Sequence, residues 1–372
     1  MAGRAGRLRV KDFVHDAPAT RVVFGVGALS AVPDEIVRLG GERVFLIGDR
    51  AAKDYSDQLA AALGTRLADR VDDVVMHVPA EASAVATARA TESGTDLLVA
   101  LGGGSATGLA KAVARAASLP ILAIPTTYAG SEMTPIWGQT EGNRKITGRD
   151  PRVLPRTVVY DPELTVGLPV DVSAASGMNA LAHCVEGLYS SAASPVTAVL
   201  AEDGIRALAD ALPRVVTNPA DLDARGDALY GAWMAGWVLG TSGMGVHHKV
   251  CHVLGGAFDL PHAEVHSAVL PYATAFNAPF AAEAMTRVAR ALRTDDPAGG
   301  LWDLASTIGA PTSLATVGFR RADADPVAAI VADEASDNPR PVTMEGVLEL
   351  LLAANDGHRP DTTTTFDPEG TS

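Results

Sequence analysis

The chain has 372 residues, 47% hydrophobic and 20% charged, and its 44 acidic against 30 basic side chains give a formal net charge of −14. That length and apolar content allow two domains with sizeable cores, while the acidic surplus, with no basic cluster beyond "RAGRLRVK" at the start, argues against a nucleic-acid or anionic-membrane partner. No apolar run approaches the ~18 residues of a membrane span, and no apolar segment follows the basic start, so a cytoplasmic protein is expected.

In chain order the first half alternates β-branched runs with helical stretches: "RVVFG", "VPDEIVRLG", "RVFLIGD", "AAKDYSDQLAAALG", "DVVMHV", "SAVATARATESG", "DLLVALGGG", "SATGLAKAVARAA" and "PILAIPTT". Strand, helix, strand repeated in this way predicts an α/β domain, a doubly wound parallel sheet with helices on both faces, over 1–165. Beyond Asp161 the β-runs fade, and Ala-rich helical periodicity in "SAASGMNALAHCVEGLYSSAASP", "AEDGIRALADALPRVV" and "ADLDARGDALYGAWMAGWVLG" predicts an all-α domain over 166–358. The boundary falls in "YDPELTVGLPVDVS", and the polar residues 359–372 are expected to form a disordered tail. There is no internal repeat. Cys184 and Cys251 form no disulfide framework and match no zinc spacing. Each adjoins a histidine, but small buried apolar residues are the preferred reading over ligands or nucleophiles.

The strand "DLLVALGGG" runs through three glycines into a helix, so Gly102, Gly103, Gly104 and Ser105, the last able to cap, are candidates to cradle a pyrophosphate at a helix N-terminus. A tight turn is the plain alternative, and the spacing is not G-x-G-x-x-G. The next strand ends in Thr126 and Thr127, at the carboxyl edge where doubly wound sheets bind ligands. Asp49 closes an earlier strand. There it would accept from a ribose, favouring NADH over NADPH, or simply cap the following helix. Lys145 is a further candidate for cofactor phosphate or ribose.

Five of the nine histidines fall within "HHKVCHVLGGAFDLPHAEVH", residues 247–266. Such a density of imidazole points to a metal site or to proton transfer. His248 and His252, four apart, share one helical face from which Lys249 is offset. Pro261 leads into a segment holding His262 at a helix start, and His266 follows. His247 and His266 are left undecided between core and site.

The set "GGGSATGLAKA", "IPTTYAGSEMTPIWG", "YDPELTVGLP", "SGMNALAHCVEGLYS" and "HHKVCHVLGGAFDLPHAEVHSAVLPY" resembles the iron-containing alcohol dehydrogenase superfamily and, within it, the maleylacetate reductase branch, over Arg21 to Val342. The resemblance implies the dehydroquinate synthase-like fold. In it a dinucleotide-binding domain precedes a helical domain, NADH or NADPH is the cofactor, and the active site lies between the halves. It also implies homodimers pairing N-terminal strands, here "RVVFG". In metal-dependent members an Asp and three His hold the ion. The corresponding positions here are Asn179, His183, His248 and His262, so the carboxylate is missing and metal is expected not to be required.

The implied substrate is a small dicarboxylate, maleylacetate, reduced at its conjugated double bond to 3-oxoadipate in the degradation of aromatic compounds. Charge then spreads into an enolate, which protonated imidazoles and amides would stabilise. The expected roles are His252 as general acid, His248 and His262 as oxyanion stabilisers, and His183 with Asn179 orienting the ketone or a carboxylate. Lys249, Arg144 or Arg149 would meet the carboxylates. Two rivals share the fold: a metal-dependent alcohol dehydrogenase, which Asn179 disfavours, and a cyclase like dehydroquinate synthase, which would need zinc and an array of Lys and Arg.

Overall fold

The computed structural model describes the chain except residues 1–12, 14, 18, 76–77, 142–143, 334–336, 361–365 and 367–372, together with the side chains of residues 144 and 145. Eight strands are described: β1 Arg21–Phe24, β2 Val44–Gly48, β3 Leu67–Val71, β4 Leu97–Gly102, β5 Ile121–Pro125, β6 Ile136–Glu141, β7 Arg144–Arg149 and β8 Thr157–Tyr160. Six form one parallel sheet in the order β1-β8-β5-β4-β2-β3. Helices α1 Val32–Arg38, α2 Lys53–Leu63, α3 Ala80–Glu92 and α4 Gly104–Ala117 make the crossovers.

The inner strands read as unbroken apolar runs because both faces of the sheet are covered. Val44 and Leu46 pack into a core with residues of α1 and α2, whereas Phe45 and Ile47 pack on the other face with α3 and α4. After β2 the chain goes outward to β3 and then returns across β2 to β4, so the carboxyl ends of β2 and β4 flank a switch-point crevice.

The second half is helical: α5 Val170–Tyr189, α6 Pro195–Thr217, α7 Leu222–Thr241, α8 Val246–Ala257, α9 His262–Asn277, α10 Ala282–Leu292, α11 Pro297–Thr307, α12 Ala324–Asp333 and α13 Met344–Asp356. Residues of α5, α6 and α7 share a core cluster with the α3 and α4 face of the sheet, so the halves are joined by packing rather than by a linker alone. Buried Arg225 reinforces the join. It donates to the Tyr128 hydroxyl at 3.1 Å, the Ser173 hydroxyl at 2.7 Å and the Leu168 carbonyl at 3.2 Å.

Several expectations are corrected. The third strand is "LADRV" rather than "DVVMHV"; Asp73–Val75 are not strand, and Met76 and His77 lie outside the described residues. This is an edge strand, half-buried throughout, where Asp69 and Arg70 reach outward to Arg89 and to Asp57 and Asp72. Its polarity disguised it. The antiparallel hairpin of β6 and β7 was not anticipated. Lys111, buried on α4, anchors the approach to it by donating to the carbonyls of Ser131 at 2.6 Å, Thr134 at 2.8 Å and Ile136 at 2.7 Å. Burial pushes the Lys111 ammonium down to about 7, although three carbonyls and nearby Glu132 favour its charged form. Of the expected tail 359–372, residues 359, 360 and 366 are described and the others lie outside the described residues. Arg359 pairs with Asp296 and Asp303 at 2.8 Å, and Phe366 is buried against Phe276 while its carbonyl accepts from Arg340.

Candidate active site

The crevice comes first. Asp49 ends β2 and spends both carboxylate oxygens on backbone, accepting from Ala52 N at 2.9 Å and Gly103 N at 2.8 Å. The capping reading of Asp49 therefore holds, and the same side chain ties β2 to the glycine loop. Gly102 has φ +153°, and a Cβ there would lie 2.4 Å from Asp49 Oδ2, so the loop closes this tightly only with glycine. Gly103 is the N-cap of α4 and no side chain caps that helix, which corrects the expectation that Ser105 does so. Ser105 sits inside the first turn. Helix geometry leaves the amides of Gly104, Ser105 and Ala106 without intrahelical partners. Thr126, whose amide donates to the Gly102 carbonyl at 3.1 Å, and Thr127, which would touch a Cβ on Gly103, bound the same place. The crevice thus offers uncapped amides, hydroxyls and a helix dipole to a pyrophosphate. Lys145 and Arg144 have side chains outside the described residues. Arg149 is engaged elsewhere, donating to the Gly240 carbonyl at 2.5 Å.

The second component is the histidine cluster. On α5, Asn179, His183 and Glu186 follow at intervals of four and three and share one face. The loop after β5 reaches this face through a close backbone contact: Gly130, with φ +78°, packs on Gly236, and a Cβ at Gly130 would lie 3.0 Å from Gly236 Cα and 3.4 Å from His183 Nδ1. Helix α8 then brings His247, His248 and His252, and α9 brings His262 and His266. Ring centroids lie 5.0 Å apart for His183 and His248, 4.8 Å for His248 and His266, 6.0 Å for His248 and His252, 6.3 Å for His252 and His262, and 4.5 Å for His262 and His266. Six imidazoles from three helices are therefore contiguous. His247 and His266, undecided in sequence, are fully buried members of the group, whereas His252 is exposed and His262 and Lys249 are half-buried at its outer side.

Sequence reasoning missed Glu186. It is fully buried and caps α8 from α5, accepting from the amides of His247 at 3.0 Å and His248 at 3.3 Å, and its Oε2 makes a very short contact with His248 Nδ1. Burial pushes the Glu186 carboxyl up to about 8, against those amides, and pushes His248 down to about 3. The two directions together describe a neutral pair sharing one proton. The only signal in sequence is a carboxylate one turn after His183 in "AHCVEG".

Burial also drives His183, His247 and His266 well below the ordinary imidazole range, with neighbouring imidazoles adding repulsion. These rings are neutral near pH 7, which corrects the expectation of protonated imidazoles at the buried positions. Asn179 Oδ1, His183 Nδ1 and His248 Nε2 are buried and have no partner among the described residues, so polar atoms stand available to a bound group. At the positions Asn179, His183, His248 and His262 the donor at 179 is a neutral amide, a weaker ligand than a carboxylate. Among the described residues, His247, Cys251 and His266 form a grouping whose donor atoms all lie within 4.8 Å of one another. Both cysteines are free and buried, as expected.

Residues 19–162 match the family model described as iron-containing alcohol dehydrogenase, and residues 173–355 match the model for the C-terminal part of that family. The chain is 49% identical to the maleylacetate reductase of Sphingobium indicum over 351 residues, 94% of this chain and 99% of that one. It is likewise 49% identical to the maleylacetate reductase of Burkholderia cepacia over 348 residues, with the same shares covered. The crystal structure of maleylacetate reductase from Agrobacterium tumefaciens superimposes with a TM-score of 0.91 at 43% identity, covering 94% of this chain and all of that one.

Proposed function

This chain belongs to the iron-containing alcohol dehydrogenase family, and we propose on that premise that it reduces the conjugated double bond of maleylacetate to 3-oxoadipate, consuming NADH or NADPH, in the cytoplasmic breakdown of aromatic compounds. The observation that carries this reading is near-full-length identity of 49% to reductases named for maleylacetate. No helix among the described residues is long and apolar enough to cross a membrane.

A reduced nicotinamide, when bound, supplies the hydride. The crevice fits its pyrophosphate: the amides of Gly104 and Ser105 receive it, with Gly102 and Gly103 allowing close approach and Thr126 and Thr127 alongside. Each Asp49 oxygen keeps a further lone pair for a ribose hydroxyl, and the carboxylate repels a 2′-phosphate, so NADH is favoured. Lys145 is assigned to this site from sequence alone.

Hydride adds to the alkene carbon remote from the ketone, and the electron pair of the double bond moves towards the ketone oxygen as an enolate. The Asn179 amide, the neutral imidazoles of His183 and His248, and His262 surround and orient this group, supplying hydrogen bonds where negative charge develops. His252, exposed at the outer side of the cluster, gives the proton to the carbon beside the ketone and regains one from water. Lys249 meets a substrate carboxylate. This sequence needs no ion at the Asn179 position. Two chains pair through the edge strand β1, where Phe24 and, two residues beyond the strand, Val26 are exposed at 40% and 58%.

The test follows NADH absorbance with maleylacetate after dialysis against a chelator. Rapid oxidation of NADH is expected, with no activity towards simple alcohols and NAD⁺. Inertness towards maleylacetate together with iron- or zinc-stimulated alcohol oxidation would overturn the reading in favour of a metal-dependent alcohol dehydrogenase.

A further inference from the structure

The reductive chemistry leaves three buried side chains of the cluster unused: His247, Cys251 and His266. Helix α8 sets His247 and Cys251 four residues apart on one face, and α9 packs His266 against them; none of the three is exposed to solvent. His247 Nε2 lies 2.9 Å from His266 Nδ1 and 3.8 Å from Cys251 Sγ, and one donor atom from each residue falls within 4.8 Å of the other two. Tetrahedral zinc, with Zn–N of about 2.0–2.1 Å and Zn–S of about 2.3 Å, holds its donors roughly 3.3–3.6 Å apart. Two of these separations lie within about half an ångström of that range, and the third side of the triangle, bounded by 4.8 Å, closes by at most about 1.3 Å to seat the ion.

The outer nitrogens, His247 Nδ1 and His266 Nε2, are buried without a partner among the described residues. Each imidazole is thus held through its inner nitrogen alone, the atom that faces the thiol and the other ring. Two imidazoles and a thiolate are a borderline-soft set that takes zinc-like ions and discriminates against magnesium and calcium.

We propose that His247, Cys251 and His266 form a divalent transition-metal site of the zinc class, separate from the positions Asn179, His183, His248 and His262. On binding, the Cys251 thiol loses its proton to solvent and the S–H bond is replaced by a sulfur–metal bond. The proton between the two imidazoles moves to an outer ring nitrogen. The thiolate offsets one charge of the ion. The ion clamps α8 to α9 beneath His248, and three protein donors leave a fourth position for a small ligand such as water.

The full chain, stripped with a chelator and dialysed, is titrated with Co²⁺ alone and followed by absorption. One Co²⁺ per chain is expected, with a sulfur-to-cobalt charge-transfer band and the strong visible bands of tetrahedral cobalt. Cys251→Ser should abolish the charge-transfer band and weaken binding by more than about 100-fold, since loss of outer-sphere partners alone costs about 10–100-fold. Asn179→Ala should leave both readouts unchanged. X-ray absorption of the zinc-loaded natural chain should show one sulfur among nitrogens, whatever the folding of the variant. Absence of saturable binding, a first shell without sulfur, or bands that survive Cys251→Ser but vanish in Asn179→Ala would overturn the proposal. None of these readouts depends on maleylacetate turnover, so their failure leaves the reductase reading standing.

Discussion

The nucleotide crevice and the histidine cluster are built by opposite means. The crevice is backbone: a strand end, a glycine turn and the first amides of α4, stiffened by one carboxylate. The cluster is side chain, drawn from α5, α8 and α9 and shaped by what lies between them. A backbone site has its electrostatics set locally by the helix terminus. A buried side-chain site has protonation states that depend on the water excluded by the assembled protein. The first should therefore respond to substitutions as a change in affinity, and the second as a change in rate or in pH dependence.

The largest expected effect separates the two most sharply. His252→Ala should lower turnover by about 10²–10⁴-fold, the usual worth of a general acid, while NADH affinity by fluorescence titration stays nearly unchanged. If affinity fell in parallel, the two regions would be one functional unit.

The next effect concerns stability of the metal-free chain. His183, His247 and His266 are held neutral by burial, whereas in the unfolded chain they take up protons below about 6.5. Their folded pKa values are depressed, so the stability they permit is fully present above that pH and is lost as pH falls. The Glu186–His248 pair holds one proton, as its unfolded counterparts together would between about pH 4.5 and 6.5, and so contributes little there. Three extra protons in the unfolded state correspond to about 4 kcal/mol per pH unit. Urea midpoints measured from pH 7 to 5.5 should fall accordingly. A flat profile would mean that the cluster carries charge when folded.

The smallest effect belongs to the crevice. Gly102→Ala forces a side chain into a left-handed backbone and against Asp49, which should cost about 1–3 kcal/mol in thermal stability. NADH binding should weaken with it. Turnover at saturating NADH should change much less than in His252→Ala.

What was legible in the sequence follows the same division. The inner strands "VFLIG", "LLVALG" and "ILAIP" were readable because burial on both faces demands unbroken apolar runs. The edge strand "LADRV" was not, because an exposed edge accommodates charged residues. The hairpin β6–β7 escaped because its described side chains are mostly half-buried or exposed, so no unbroken apolar run marks it. Phe366 carries no periodic signal, and only its seat against Phe276 and Arg340 orders that part of the tail. His248 and His252 were placed on one helix face by spacing. Glu186 could not be assigned, since its value comes from the N-terminus of α8, which lies about 60 residues further along the chain.

The order of residues alone determined the features made by neighbours in the chain: the strand–glycine–helix cradle, the hydroxyls ending β5, and the spacing of imidazoles along α8 and α9. Tertiary structure decided which of those imidazoles are dry, which share a proton with Glu186, and which stand beside a thiol. Burial and long-range hydrogen bonding exist only once separate helices have packed, and these two quantities set the charge and ligand chemistry of every ring in the cluster.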